Sequence, residues 1–355
     1  MANKKSFEEL LTSVVKEGAS DLHISVGRHP TLRIDGGLVP LLKEDVLTAQ
    51  TAQEYVFSML TEEQKEKLTR EREIDLSYDF HEKARFRVNA FFQRGSMGAA
   101  LRLIPTKIRN FTELSLPPIL QEFAVRKQGF LLVVGPTGHG KSTTLAAVID
   151  YINRTRAEHI TTIEDPIEYL FSSDHATIDQ REVGSDTADF HRALKSMFRQ
   201  DVDVVMVGEM RDAETMAAAV TAAETGHLVL STLHTNNAAQ TIDRIIDTFP
   251  PTQQNQIRAQ LSSTLIGVVS QRLIPRINGG LVPAVEVMIA NAAVRNLIRE
   301  NKIHELDLVI ETSSDQGMIS LNRSLVDLIR RGEIAMENAV LYSLNPGELQ
   351  SLLKG

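Results

Sequence analysis

The sequence predicts an α/β protein: a mainly parallel sheet covered on both faces by helices, preceded by a smaller α+β domain and followed by a helical region. Three observations predict it. Short apolar runs at 130–134, 159–163, 204–207 and 227–231 alternate with stretches of helical periodicity, which is how a chain builds buried parallel strands and their crossovers. The first of these runs leads straight into a glycine-rich turn and a helix. Upstream of a stretch at 105–118 with three prolines and no periodicity, strands instead alternate apolar and polar residues, as half-exposed antiparallel strands do. At 355 residues the chain exceeds what one core usually holds, and the blocks divide as 1–104, a linker at 105–118, a core at 119–270 and a helical region at 271–355.

In order along the chain, Ser6 and Glu9 form a capping-box pattern, and Leu10, Leu11, Val14 and Val15 give the following helix one apolar face before Gly18 stops it. Segments 21–25 and 30–35 alternate like strands, with Asp35-Gly36-Gly37 as the turn after them. Helices are expected at 48–55 and 61–72, the second opened by the pair Thr61 and Gln64. Strands return at 74–80, 84–93 and 99–104. The middle one places Phe86, Val88 and Phe92 on one face and Arg85, Arg87 and Asn89 on the other. Later, 187–199 carries the stripe Phe190, Leu194, Met197 and Phe198, and the alanine-rich helix at 212–225 ends at Gly226. Beyond about Gln271 the pattern reads as helical, at 291–301, 321–331 and 337–344.

The stretch Gly135-Pro136-Thr137-Gly138-His139-Gly140-Lys141-Ser142, followed by Thr143, matches G-x-x-x-x-G-K-[ST] at every fixed position. A strand in front and a helix at 142–152 behind are the context that makes it a phosphate-binding loop. Its glycines let the backbone curl so that successive N–H groups point inward, Lys141 brings a point charge to the β- and γ-phosphates, and Ser142 offers a hydroxyl to Mg²⁺. The helix aims its positive end at the same phosphates. His139 occupies a free position of the motif and reads as incidental.

In an open α/β sheet, ligands lie beyond the carboxyl ends of the strands, and three further strands end in polar residues. ITTI runs into Glu164-Asp165-Pro166, VVMV into Gly208-Glu209-Met210-Arg211-Asp212, and LVLSTL into His234-Thr235-Asn236. Singly, an acidic residue there is as good a helix cap as a ligand. Beside a phosphate loop, Glu209 is expected to act on Mg²⁺ through its water shell and Glu164 to orient the attacking water, although the two roles are exchangeable on sequence alone. His234 is expected near the γ-phosphate. His227, before the strand, is either a site residue or structural, and its spacing of seven from His234 points the two imidazoles in opposite directions, which argues against zinc. Arg85, Arg87 and Arg102 are either a solvated face or cations supplied to a γ-phosphate from the other domain or a neighbouring subunit.

Composition removes several classes. The absence of cysteine excludes disulfides, thiolate nucleophiles and Cys-type zinc sites. A net charge of −8 argues against broad electrostatic binding of nucleic acid. No apolar run reaches the ~18 residues of a transmembrane segment, and MANKKSFEELL turns acidic before any apolar core, so no secretory signal is expected and the cytoplasm is the expected location.

Four segments together resemble the secretion-type ATPases of the type IV pilus and type II secretion superfamily. GPTGHGKSTT resembles its Walker A motif, ITTIEDPIEY its Asp box, VDVVMVGEMRD its atypical Walker B and TAAETGHLVLSTLHTNNA its His box. ASDLHIS, RFRVNAF and Ala293-Val294-Arg295-Asn296-Leu297-Ile298-Arg299-Glu300 extend the likeness over nearly the full length, toward the pilus-retraction branch; assembly ATPases of the superfamily generally carry a longer N-terminal region and a four-cysteine zinc site. The resemblance implies a PAS-like N-terminal domain, a RecA-like P-loop NTPase core and a homohexameric ring binding ATP and Mg²⁺ between the domains of each subunit. It also implies Glu164 as catalytic carboxylate, Glu209 as Walker B acid, and His227 and His234 as the His-box pair. The implied function is an ATP-hydrolysing motor for type IV pilus retraction (pilin depolymerisation and twitching motility), cytoplasmic and peripheral to the inner membrane at the pilus base. Its implied partners are an inner-membrane platform protein and an accessory retraction ATPase.

Two residues depart from the family pattern. His139 stands where Ser is usual and Val202 where Pro is common, and a protonated His139 would make nucleotide affinity depend on pH. In the AVRNLIRE helix the Leu and Ile are expected to pack internally and the arginines to face the platform. A nucleic-acid translocase and a non-catalytic ATP-binding regulatory subunit are the alternatives. The acidic charge disfavours the first, and the presence of both Glu164 and Glu209 the second.

Overall fold

The computed structural model describes residues 6–34, 36–80, 84–105 and 107–354, so the first five residues, Asp35 of the expected turn and Thr106 of the expected linker lie outside the described residues. The chain forms two compact units. The first takes in the chain up to Lys107 together with 166–170, and the second takes in Ile108–Asp165 and everything from Phe171 onward.

In the first unit α1 (Phe7–Lys16), β1 (Asp21–Ile24), β2 (Thr31–Ile34) and β3 (Gly37–Pro40) are followed by α2 (Ala49–Ser58) and α3 (Glu62–Glu71), then β4 (Glu73–Phe80), β5 (Ala84–Gln93) and β6 (Ser96–Ile104). The strands make one antiparallel sheet in the order β3-β2-β1-β6-β5-β4. Helix starts follow their caps: Ser6 Oγ accepts from the Glu9 N–H at 3.3 Å while the Glu9 carboxylate accepts from the Ser6 N–H at 2.8 Å. Thr61 and Gln64 repeat the arrangement at α3. In β5 the alternation holds, with Phe86, Val88 and Ala90 fully buried against Leu10, Leu11 and Leu101 while Arg87 is exposed. Each such large side chain contributes about 1.5–3 kcal/mol by leaving water.

In the second unit α4 (Ile119–Ala124) precedes β7 (Gly129–Val134), α5 (Lys141–Thr155), β8 (His159–Glu164), β9 (Thr177–Glu182), α6 (Phe190–Met197), β10 (Val204–Val207), α7 (Ala213–Glu224) and β11 (Leu228–Leu233). Then come α8 (Ala238–Asp247), α9 (Pro251–Thr264), β12 (Leu265–Pro275), β13 (Leu281–Ile289), α10 (Ala292–Arg299), α11 (Leu306–Thr312), α12 (Leu321–Arg330), α13 (Met336–Tyr342) and α14 (Pro346–Lys354). The sheet order is β13-β12-β7-β11-β10-β8-β9, parallel throughout except for the β12–β13 pair. Alternate residues feed two cores. Phe130, Leu132, Val134, Val205 and Val229 pack with α6 to α10 on one face, and Leu131, Val133, Val204, Met206 and Leu230 pack with α4 and α5 on the other.

Three expectations change here. The region beyond Gln271 is not helical until Ala292, because β12 and β13 carry the sheet to its far edge. Both strands are apolar runs buried on two faces, so they lack the alternation that announces a strand. The polar edge strand β9, TIDQRE, was invisible for the opposite reason, having too few apolar residues to form a pattern. Residues 108–116, which read as connecting chain, are packed into the second unit, with Phe111 and Leu116 buried and the Phe111 ring 5.5 Å from Tyr151.

Candidate active site

Strands β7, β11, β10 and β8 lie side by side in that order, and being parallel they bring their four polar carboxyl ends into one row. At β7 the chain must leave the sheet sharply. Gly135 does so at φ +144, where a Cβ would fall 2.3 Å from the carbonyl oxygen of Gln271, and Gly140, at φ +80, caps α5 with its own Cβ position 2.8 Å from Gln271 Nε2. A side chain at 135 would push the β12 backbone away, and one at 140 would displace the Gln271 side chain. Gln271, which no motif marks, is buried and ties this corner together: its Oε1 accepts from Thr144 Oγ1 at 2.7 Å and its Nε2 donates to the His139 carbonyl at 2.8 Å.

Lys141 is buried, and its Nζ donates to the carbonyls of Gly135 at 2.9 Å and Pro136 at 3.0 Å. The same Nζ stands 3.4 Å from His234 Nδ1, with Thr137 Oγ1 3.2 Å from that nitrogen. An ammonium has only donors, so Nδ1 accepts and the His234 proton sits on Nε2. That Nε2 faces Glu209 Oε1 at 3.3 Å, and the other Glu209 oxygen receives Arg211 Nε at 3.0 Å and an Arg211 terminal nitrogen at 2.9 Å. Hydrogen bonding to Glu209, and its charge, raise the Arg211 pKa. A continuous polar path thus runs from the loop lysine through His234 to the carboxylate after β10.

Glu164 ends β8, beside β10. Its carboxylate is buried and accepts from Thr162 Oγ1 at 2.7 Å and Gln180 Nε2 at 3.3 Å. Glu164 lies beside Gly208, the residue before Glu209: the position a Cβ would take on Gly208 is 3.4 Å from Glu164 Cα and 3.8 Å from its Cγ. Ser142 opens α5 beside Lys141. Among the described residues no cluster of His, Cys, Asp or Glu could hold a metal by protein groups alone. One hydroxyl and one carboxylate is the donor set Mg²⁺ uses when phosphates and waters complete its shell, so Ser142 and Glu209 fit that ion.

Of the other expected residues, Pro136, Gly138 and Thr143 follow the loop and its helix. His227 does not join the site. It stands before β11, at the opposite end of the strand from His234, where Nδ1 is 2.9 Å from the Ala222 carbonyl at the end of α7 and its ring meets Phe198 edge-on at 5.5 Å. Arg85, Arg87 and Arg102 belong to the first unit, on β5 and β6. There Arg87 and Arg102 are cross-strand partners, and Arg102 Nε donates to Asp21 Oδ1 at 3.0 Å.

His139 is not incidental. Its Nδ1 accepts the backbone N–H of Leu273 at 2.9 Å. Beside the loop helix lies an open groove of ≈ 340 Å³ whose lining includes Arg109, Glu113, Thr143, Thr144, Gln271 and Arg276. Sequence reading missed its near wall because 109 and 113 fall in the stretch that looked like linker. In α10, Ile298 is buried and Leu297 packs on the core, as expected, but Arg295 faces inward. It donates to the carbonyls of Ala290, Ser262, Ser263 and Leu265 at 2.8, 2.8, 2.6 and 2.9 Å, closing the end of α9, and only Arg299 is exposed.

A family model described as Type II/IV secretion system protein matches residues 2–326. The chain is 45% identical over 331 residues to the type IV pilus retractation ATPase PilT of Pseudomonas aeruginosa, covering 93% of this chain and 96% of that one. A twitching motility protein of Neisseria gonorrhoeae is 44% identical over 93% of this chain and 88% of its own length. Among solved structures, that of the pilus retraction motor PilT with bound ADP superimposes with a TM-score of 0.91 at 46% identity, covering 98% of this chain and 100% of that one.

Proposed function

This chain belongs to the type II/IV secretion system protein family, and from that premise we propose that it is a homohexameric motor that hydrolyses ATP to ADP and phosphate to power type IV pilus retraction. The observation that carries the chemistry is the row of adjacent strand ends: Lys141 at the end of the loop after β7, His234 just after β11 and Glu209 just after β10 form one chain of contacts, with Glu164 ending the next strand, β8.

The inward N–H groups of 135–142 and the amino end of α5 receive the phosphates. Lys141, now spanning its own loop's carbonyls, turns its charge to the β- and γ-phosphates. Ser142 and, through water, Glu209 would hold Mg²⁺, which would supply positive charge beside the phosphate oxygens. Glu209 suits that role because it is joined through His234 to the loop itself. Glu164, more buried and one strand further out, is left to orient the attacking water and take its proton. His234, carrying its proton on Nε2, keeps Glu209 and Lys141 in register and reports the loss of the γ-phosphate from one to the other. The groove beside Thr143 and Thr144 is where the nucleoside lies.

No helix among the described residues is long and apolar enough to cross a membrane. A cytoplasmic ring docked on an inner-membrane platform protein, with an accessory retraction ATPase as a further partner, completes the proposal. The test is phosphate release by the full chain with Mg·ATP. Glu164→Gln and Glu209→Gln should each lower turnover by about 10²-fold or more while nucleotide still binds, whereas Lys141→Ala should lose binding itself. Undiminished turnover in both carboxylate variants would overturn the assignment, and turnover that depends on added nucleic acid would turn it toward a translocase.

A further inference from the structure

Strand β7 ends at Val134, opposite Ser270 of β12, and beyond that point β12 continues to Pro275 with no strand on that side among the described residues. Its neighbour on the other side is β13, where Leu273 stands opposite Pro283. A backbone N–H in this position needs a partner, and for Leu273 the partner is an imidazole: His139 Nδ1, at the crest of the phosphate loop, accepts it at 2.9 Å. Two residues away Gln271 holds the His139 carbonyl at 2.8 Å, and the ring of Tyr342, on α13, meets the imidazole edge-on with centroids 6.3 Å apart. The crest is therefore fastened to β12 twice, once through the backbone of residue 139 and once through its side chain.

We propose that His139 is a positioning residue of the phosphate loop, whose neutral Nδ1 lashes the crest to β12, so that the loop keeps its nucleotide-receiving shape only while the imidazole is unprotonated. This rests on the reading that the loop binds nucleotide. An Nδ1 that accepts cannot carry a proton, so the fastened ring is the Nε2–H tautomer and protonation breaks the bond. The surroundings act in the same sense. Burial first, then the charges of Arg272 on β12 and Lys141 on α5, push the His139 pKa below its ordinary 6.5, and the residue that meets the imidazole from α13 is the Tyr342 ring.

A group whose pKa is lower when fastened than when free stabilises the fastened form fully above the free value, and that stabilisation is lost as pH falls below it. Nucleotide affinity should thus weaken in acid. A histidine acting instead as an extra cation for phosphate would give the reverse.

The experiment is calorimetric titration of the full chain with Mg·ADP at about pH 8 and about pH 5.5, one unit below the ordinary value, for wild type, His139→Asn and His139→Ala. The Oδ1 of Asn can accept the Leu273 N–H in place of Nδ1 and does not titrate. Expected are equal affinities of wild type and His139→Asn at the higher pH, a wild type about three- to tenfold weaker than His139→Asn at the lower one, and His139→Ala weakened at both. Protonation of the nucleotide cancels between variants at one pH. Parallel pH profiles for wild type and Asn, full affinity in the Ala variant, or tighter acid binding by wild type would each overturn the proposal. Wild type that fails to bind ADP at either pH would instead overturn the phosphate-loop reading, and this one with it. Hydrogen–deuterium exchange at the histidine ring carbons, read by mass spectrometry on wild type, decides independently if a variant does not fold: His139 should titrate below 6.5, and an ordinary or raised value would overturn the proposal.

Discussion

Glu286 is a carboxylate in a place that does not favour charge, and replacing it with Gln should stabilise the protein in a pH-dependent way. It lies on β13 with 7% of its surface exposed, and its Oε1 accepts the Ala238 N–H at the start of α8 at 2.7 Å. Burial pushes its pKa from 4.5 to about 7. The Ala238 N–H pulls it back in part, Asp307 pushes it further up, and Arg272 pulls it down. Because the folded pKa is raised, the folded protein holds this proton more tightly than the unfolded chain. The group's contribution is therefore fully present below 4.5 and is lost as pH rises to about 7. The distance between those values, at about 1.4 kcal/mol per pH unit, amounts to about 3 kcal/mol of lost stability at pH 8 and under about 1 kcal/mol at pH 5. Gln keeps the carbonyl that accepts from Ala238 and removes the charge. Glu286→Gln should therefore melt about 6 °C or more above wild type at pH 8, with most of that gain gone at pH 5. Since the chain has no tryptophan, far-UV circular dichroism or calorimetry is the assay. A gain that does not change with pH, or a loss at pH 8, would mean that the carboxylate is ionised and well paired in the folded state, and the reasoning would fail.

Two further substitutions probe the architecture around the site. Gly135→Ala forces a Cβ to 2.3 Å from a backbone oxygen of β12 at φ +144, so it should cost about 3 kcal/mol or more and weaken Mg·ADP binding at least tenfold; wild-type melting and binding together would contradict the close approach. Arg295→Ala strips four carbonyls of their donor and should lower stability by about 2–3 kcal/mol, whereas the exposed Arg299→Ala should stay within about 0.5 kcal/mol of wild type and keep its ATPase rate while impairing retraction. Equal melting of the two variants would remove the structural role given to Arg295.

What could be seen in the sequence was whatever is local. The cap pairs at Ser6 and Thr61, the alternation of β5 and the loop at 135–142 each declare themselves within a few residues, because the physics that forms them acts over a few residues. Strand order is not local. The motif strands occur along the chain as β7, β8, β10, β11 but stand in the sheet as β7-β11-β10-β8, so the motif furthest along the chain from the phosphate loop is its neighbour in space. With strands ~4.8 Å apart, Glu164 belongs to a strand about 14 Å from β7, while His234 belongs to the strand next to it. This asymmetry separates the two carboxylates, which the sequence left exchangeable. Glu209 is within one imidazole of Lys141, whereas Glu164 ends the strand beyond Glu209's. Gln271, His139 and Arg295 were hidden for the same reason. A lone Gln, a histidine at a free motif position and an arginine on an amphipathic helix carry no pattern of their own. Their work is set by the register that puts β12 beside the loop and α9 beside α10, and a single residue's slip in β12 would turn Gln271 to the other face of the sheet and leave both Thr144 and the loop crest unheld.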